Sequence, residues 1–177
     1  EIYTLSLHDA LPILKKQIMA VTLTAAMLAG LAAVPVWADD AGSDEGKVLN
    51  IYCWNEEFKS RLTDHYPGYE EVDGTHGKIG DVDVVWNITP SDDNAYQNNL
   101  DETLLKQADA AADDKIDLFL VEADYALKYV NTDYTMSVAD LGITDDEIAD
   151  QYQYTKDVMT DSDGNLKGLS WQGCPGT

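Results

Sequence analysis

"KVLNIYCWNEEF" (Lys47–Phe58) is the stretch on which the fold turns. Val48 to Trp54 is rich in β-branched and aromatic residues and reads as a largely buried strand. The residues behind it, "NEEFKSRLTDHY", read as a helix. Phe58 and Leu62 share one face at i, i+4, and Glu56 and Glu57 fall in the first turn, where the helix dipole favours acids. Tyr66-Pro67-Gly68 then closes the helix. A buried strand that feeds an amphipathic helix opens an α/β chain.

The pattern repeats downstream. "DVDVVWNIT" (Asp81–Thr89) reads as a second strand. "SDDNAYQNNLDETLLKQADAAA" reads as a helix, with Ser91, Asp92 or Asp93 as N-cap and Leu100, Leu104, Ala108 and Ala111 as its apolar stripe. "KIDLFLV" (Lys115–Val121) is a third buried strand, and "ADYALKYV" (Ala123–Val130) a short helix. "TDDEIADQYQYTKDVM" opens with Thr144 and Glu147 at capping-box spacing, with Ile148, Tyr152 and Met159 along one side. "TDSDGNLKGLS" reads as a hairpin about Asp163-Gly164. The order β-α-β-α-β-α predicts an α/β fold with a parallel sheet. Such sheets bind ligands beyond the carboxyl ends of their strands, here "CWNEE", "WNITPSDD" and "VEAD".

Upstream, Lys15 and Lys16 precede the uncharged run Ile18–Val36, and Val36 and Ala38 stand at −3 and −1 before Asp39. Residues 14–38 therefore read as a cleavable secretory signal, and 39–47 as an acidic, flexible lead-in. Residues 1–13, "EIYTLSLHDALPI", stand ahead of that signal. They resemble, residue for residue, the translation of a common sequencing-library adapter, and are set aside from the fold. At the other end, "NLKGLSWQGCPGT" runs a strand-like segment into Gly and Pro and stops, so the chain is expected to be cut short there.

The 177 residues carry a net charge of −22. That argues against nucleic acid and anionic membrane surfaces as partners, since both call for a positive face. Cys53 and Cys174 form no metal-type CxxC. In an exported chain they either pair or serve as buried thiols. No Cys follows the apolar segment, so no lipid-modified N-terminus is indicated. The Asp161–Asp163–Gly164 series lacks the first ligand and the closing acid of a calcium loop, which leaves an Asp-Gly turn. His65 and His76 lack a metal-ligand context. No nucleophile elbow, Walker loop or dinucleotide fingerprint occurs. No catalytic residue, metal or cofactor is expected.

Trp54, Trp86 and Trp171 carry more. With Asn55, Glu56, Glu122, Asp124 and Gln172 near the same strand ends, they suggest a sugar-type pocket. Indole faces stack on the C–H face of a pyranose, and carboxylates or amides take hydroxyl pairs.

Four stretches in order, "KVLNIYCWNEEF", "KIDLFLVEADYALKYV", "SVADLGIT" and "GNLKGLSWQGCPG", resemble the bacterial extracellular solute-binding proteins of carbohydrate ABC importers. The likeness spans Val48 to Thr177. It implies a type II periplasmic-binding-protein-like fold of two α/β lobes with ligand in the cleft between them. Family members are about twice as long, so residues 48–177 are expected to be an incomplete N-terminal lobe. Carried onto this chain, the resemblance makes Trp54, Asn55, Glu56, Glu122, Asp124, Trp171 and Gln172 ligand-binding. It implies a carbohydrate ligand, ABC permease subunits as partners, a monomer, and an exported location, extracellular or periplasmic at the membrane transporter. Many Gram-positive members bear a lipid-modified Cys that this chain lacks. Two rivals stand beside this reading: a secreted adhesion or structural surface protein, and an exported carbohydrate-active enzyme, which would need an acid pair at fixed separation.

Overall fold

The computed structural model describes residues 46–173. The expected adapter-like segment, the signal, most of the lead-in and Cys174 lie outside the described residues. The chain divides into two compact units, whose described parts run through residue 120 and from residue 121.

The first unit is α/β. Strand β1 (Val48–Cys53) is followed by helix α1 (Glu57–His65). Then come β2 (Tyr69–Glu71), β3 (His76–Ile79) and β4 (Val82–Ile88), helix α2 (Ala95–Leu104) and β5 (Leu118–Phe119). The strands form one five-stranded sheet, ordered β2-β3-β4-β1-β5. β1 lies between β4 and β5 and is parallel to both, with Ile51 opposite Trp86 and Tyr52 opposite Phe119. Ile51, Cys53, Val84 and Trp86 are buried, as the continuous apolar runs require.

The sheet is mixed, which corrects the parallel expectation. β3 is antiparallel to both β2 and β4. This β2–β3–β4 meander escapes an apolar-pattern reading because Glu70, Glu71, His76 and Lys78 on its first two strands are exposed. Its glycines do signal it. Gly80, at φ +61, is the first of two residues linking Ile79 to Val82, the place where a tight hairpin accepts Gly. A Cβ on Gly77 would collide with the Tyr69 ring laid across it.

Two further spans of the first unit differ from expectation. A 3-10 turn (Asp92–Asn94) opens the segment with Ser91 at its N-cap position, without a side-chain cap bond, and helix α2 begins at Ala95 behind Asn94, which is left-handed (φ 61). The helix ends at Leu104, leaving Ala108 and Ala111 exposed. The chain turns because the Gln107 amide takes both sides of the Ile116 backbone. Its Nε2 donates to the Ile116 carbonyl at 2.8 Å, and its Oε1 accepts the Ile116 N–H at 2.9 Å. The third strand pairs only at Leu118 and Phe119. Flanking bonds from Asp117 N to Asn50 O and from Leu120 N to Tyr52 O extend its contact with β1.

In the second unit, α3 (Leu127–Val130) is shorter than the helix expected from Ala123. The span 144–159 is broken into a 3-10 turn (Asp145–Ile148) and helix α4 (Gln153–Val158), with Tyr152 extended between them. The capping-box partner is in place: Glu147 accepts the Thr144 N–H and hydroxyl, each at 2.8 Å. Asp146 and Asp150, four apart, would repel on a continuous helix. Ile148 alone of the expected stripe is buried, and Tyr152 is exposed. The hairpin about Asp163-Gly164 closes with one antiparallel bridge, Thr160 to Leu166. Asp161 holds that turn, accepting the Asp163 and Asn165 N–H groups at 2.9 and 2.8 Å, so its carboxylate is committed within the loop. Among the described residues no helix is long and apolar enough to cross a membrane.

Candidate functional site

β1 and β4 are parallel neighbours, so their carboxyl ends open on the same edge of the first unit. Trp54, Asn55 and Glu56 follow β1 there. Trp54 is half-buried and meets the ring of Tyr96 edge-on, with centroids 5.5 Å apart at 73°. Tyr96 is fully buried, and its hydroxyl donates to the Leu120 carbonyl at 2.6 Å. The indole is thereby braced from inside while part of it meets solvent. Asn55 is exposed, and its Oδ1 accepts the Glu57 N–H at 2.9 Å, which fixes the turn into α1. Its amide nitrogen points away from that bond, and Glu56 beside it is exposed.

The end of β4 is tied to the same edge. Thr89 donates its N–H to the Cys53 carbonyl at 2.9 Å, and Asn99 Nδ2 donates to Thr89 Oγ1 at 3.1 Å. Asp93 and Asn94, which follow, both have positive φ, 51° and 61°. Consecutive non-glycine residues in this region are uncommon, and here they turn the chain sharply enough for α2 to bring Tyr96 under Trp54.

Trp86 does not join this edge. It is 2% exposed, its Nε1–H donates to the Tyr69 hydroxyl at 3.1 Å, and Phe58 packs on it edge-on. It is a core residue, because its position in the middle of β4 points it beneath α1. The suggested pocket loses this indole.

The remaining expected residues belong to the second unit. Glu122 and Asp124 are exposed and flank a turn in which Tyr125 N donates to the Glu122 carbonyl at 3.2 Å. Burial pushes the Tyr125 phenol up to about 12, with the Glu122 and Asp124 charges adding to the rise. Trp171 is half-buried and Gln172 exposed. The Gln172 carbonyl accepts the Ser170 hydroxyl at 2.8 Å, and Gln151 Nε2 donates to the Ser170 carbonyl at 3.3 Å. The seven expected residues thus form three local groups: the strand end 54–56, the turn 122–124 and the segment 171–172.

Sequence reasoning missed Tyr96, although its spacing with Leu100 and Leu104 (i, i+4, i+8) is a core signal. It also missed Tyr125. No group of three or more His, Cys, Asp or Glu side chains among the described residues could hold a metal ion. Compared with protein-family models, with curated proteins and with solved structures, the chain finds no match.

Proposed function

We propose that residues 48–177 are part of the N-terminal lobe of a type II solute-binding protein, exported and non-catalytic, which binds a carbohydrate and delivers it to an ABC permease. One observation carries the reading. At the carboxyl end of β1, an indole braced by a buried tyrosine is left half-open, with an exposed amide and an exposed carboxylate as the next two residues. An aromatic face beside hydrogen-bonding groups, on a rigid strand end, suits the amphipathic surface of a sugar ring. The excess of acid disfavours anionic ligands. The sequence resemblance supports the same assignment and adds the second lobe and the permease.

The test is titration calorimetry on the full-length gene product with a panel of neutral mono- and oligosaccharides. Micromolar binding of one of them, weakened in Trp54→Ala by about 1–3 kcal/mol, is expected. A protein that binds no sugar of the panel, or binds it equally well without Trp54, overturns the proposal. Hydrolysis of a bound sugar during the titration would favour the enzyme reading instead.

A further inference from the structure

In the second unit two tyrosines stand stacked in the open. The rings of Tyr152 and Tyr154 lie 5.8 Å apart between centroids and are inclined by only 21°, yet the residues are 58% and 55% exposed. Residues two apart on a helix point about 200° apart around its axis and do not meet. The stack exists because Tyr152 is extended and Tyr154 belongs to the first turn of α4. Tyr152 also starts that helix. Its carbonyl accepts the Thr155 hydroxyl at 2.7 Å, the Thr155 N–H at 3.1 Å and the Lys156 N–H at 3.4 Å. Gln153, between the two tyrosines in sequence, is held along α4 by its Nε2, which donates to Asp157 at 2.7 Å.

Exposed phenols are open to one-electron oxidants, and two phenoxyl radicals couple where their ring edges can meet. A second pair in the same unit, Tyr125 and Tyr129, lacks both conditions. Its rings are nearly perpendicular, 6.4 Å apart at 77°, and Tyr129 is 3% exposed.

We propose that Tyr152 and Tyr154 are a site of oxidative coupling, where a one-electron oxidant joins the two rings as a dityrosine that pins the start of α4. Each phenol gives one electron to the oxidant and one proton to water. The two phenoxyl radicals then share their unpaired electrons in a new carbon–carbon bond between ring positions ortho to the hydroxyls. The hydrogen on each of those carbons moves to its own phenolic oxygen, and both rings regain aromaticity. Two electrons and two protons leave, so two equivalents of oxidant are consumed and the product is lighter by two hydrogens. The link closes over Gln153 and fixes Tyr152 in its extended, helix-starting conformation. It involves the second unit alone and is independent of the carbohydrate reading.

The experiment takes the full-length protein at low concentration, with a photoexcited ruthenium complex and persulfate as the one-electron oxidant. The monomer, separated on a gel, is read by dityrosine fluorescence and tandem mass spectrometry. Expected is a monomer lighter by two hydrogens, without the fragment ions that arise from cleavage between Tyr152 and Tyr154. Tyr152→Phe and Tyr154→Phe, which keep both rings and remove one phenol, should each lose that product. In urea, where the oxidant still works, the yield should fall several-fold, since the fold rather than the two-residue spacing brings the rings together. Amide exchange at Thr155 and Lys156 should slow in the coupled protein. A monomer without dityrosine, or dityrosine that maps to other tyrosines, arises only between molecules or forms as readily in urea, overturns the site. Coupling that leaves exchange at Thr155 and Lys156 unchanged overturns the pinning of α4.

Discussion

Trp54 stands edge-on to Tyr96, 5.5 Å between centroids, and Tyr96 in turn is anchored through its hydroxyl to the Leu120 carbonyl at 2.6 Å and the Tyr52 carbonyl at 3.1 Å. One side chain thus joins helix α2 to the ends of β1 and β5 and props the indole at the sheet edge. Position and stability of the candidate site are coupled through it.

Tyr96→Phe removes only that donor. The ring remains, so the cavity term is absent. The lost buried hydrogen bonds are expected to lower stability by about 1–2 kcal/mol. Tyr96→Ala adds a cavity and is expected to cost about 3–5 kcal/mol, and to blue-shift or red-shift Trp54 emission as the brace disappears. Urea unfolding of both variants checks this. A phenylalanine variant as unstable as the alanine one would show that the hydroxyl, and not the packing, carries the brace.

Lys59 joins α1 to the β2–β3 hairpin. Its side chain is 11% exposed, and its Nζ donates to the Gly74 carbonyl at 2.7 Å and lies 3.3 Å from the Glu71 carboxylate, which is 59% exposed. An ion pair with one partner in water contributes little, while the bond to the carbonyl is shielded. Lys59→Met is therefore expected to cost about 1–2 kcal/mol, and Glu71→Gln under about 0.5 kcal/mol. Chemical denaturation of the two single variants ranks them. The reverse order would place the binding energy in the ion pair.

The parts of the fold legible in the sequence were those held by apolar runs. β1 and β4 are central, buried on their neighbours, and announce themselves in "VLNIYC" and "VDVVWNI". The β2–β3 hairpin lies at the sheet margin, where one face meets water and polar residues suffice. Its specification is in Gly77, and that of the following β3–β4 turn in Gly80, conformational signals that hydrophobic pattern does not register. The ends of helices misled for a related reason. Nothing in "TLLKQADAAA" forbids more helix, and the turn is made by a long-range bond from Gln107 to Ile116. The place of Trp54, Asn55 and Glu56 at the end of β1 was legible because a strand end is fixed by the strand before it. Trp86 was misplaced because burial of an indole is decided by Phe58 and Tyr69, both distant in sequence.

Cys53 lies fully buried at the end of β1, and burial pushes its thiol up to about 11, opposed by a backbone hydrogen bond at Asn55 and reinforced by the Glu56 charge. Its thiolate fraction near neutral pH is then roughly a hundredfold below that of an ordinary thiol, before access is counted. Iodoacetamide labelling at pH 8, read peptide by peptide in a mass spectrometer, should leave Cys53 unmodified in the folded protein and modify it fully in urea. Rapid labelling of Cys53 under native conditions would contradict both its burial and the integrity of the strand end that supports Trp54.

Two aspartates should respond to acid with opposite signs. Asp73 accepts the Thr75 N–H at 2.8 Å, the His76 N–H at 2.9 Å and His76 Nδ1 at 2.9 Å, and these bonds hold its carboxyl down at about 2. Its folded value lies below the unfolded one, so its contribution is present above about pH 4 and is lost as pH falls toward 2. Asp117 goes the other way. Desolvation at the edge of β1 raises it, outweighing the Asn50 N–H it accepts at 2.8 Å, and Asp113 adds to the rise. The folded state therefore binds its proton more tightly, so Asp117 stabilises increasingly as pH falls through its raised value and costs stability at neutral pH. Asp73→Asn should destabilise at pH 7, with the deficit shrinking in acid, and should speed amide exchange first at Thr75 and His76. Asp117→Asn should be neutral or stabilising at pH 7, with any gain shrinking toward pH 4. Urea melts of both variants at pH 3, 5 and 7 measure the slopes. Parallel slopes for the two would mean that the Asp73 hydrogen bonds do not persist in solution, or that Asp117 is hydrated like any surface carboxylate.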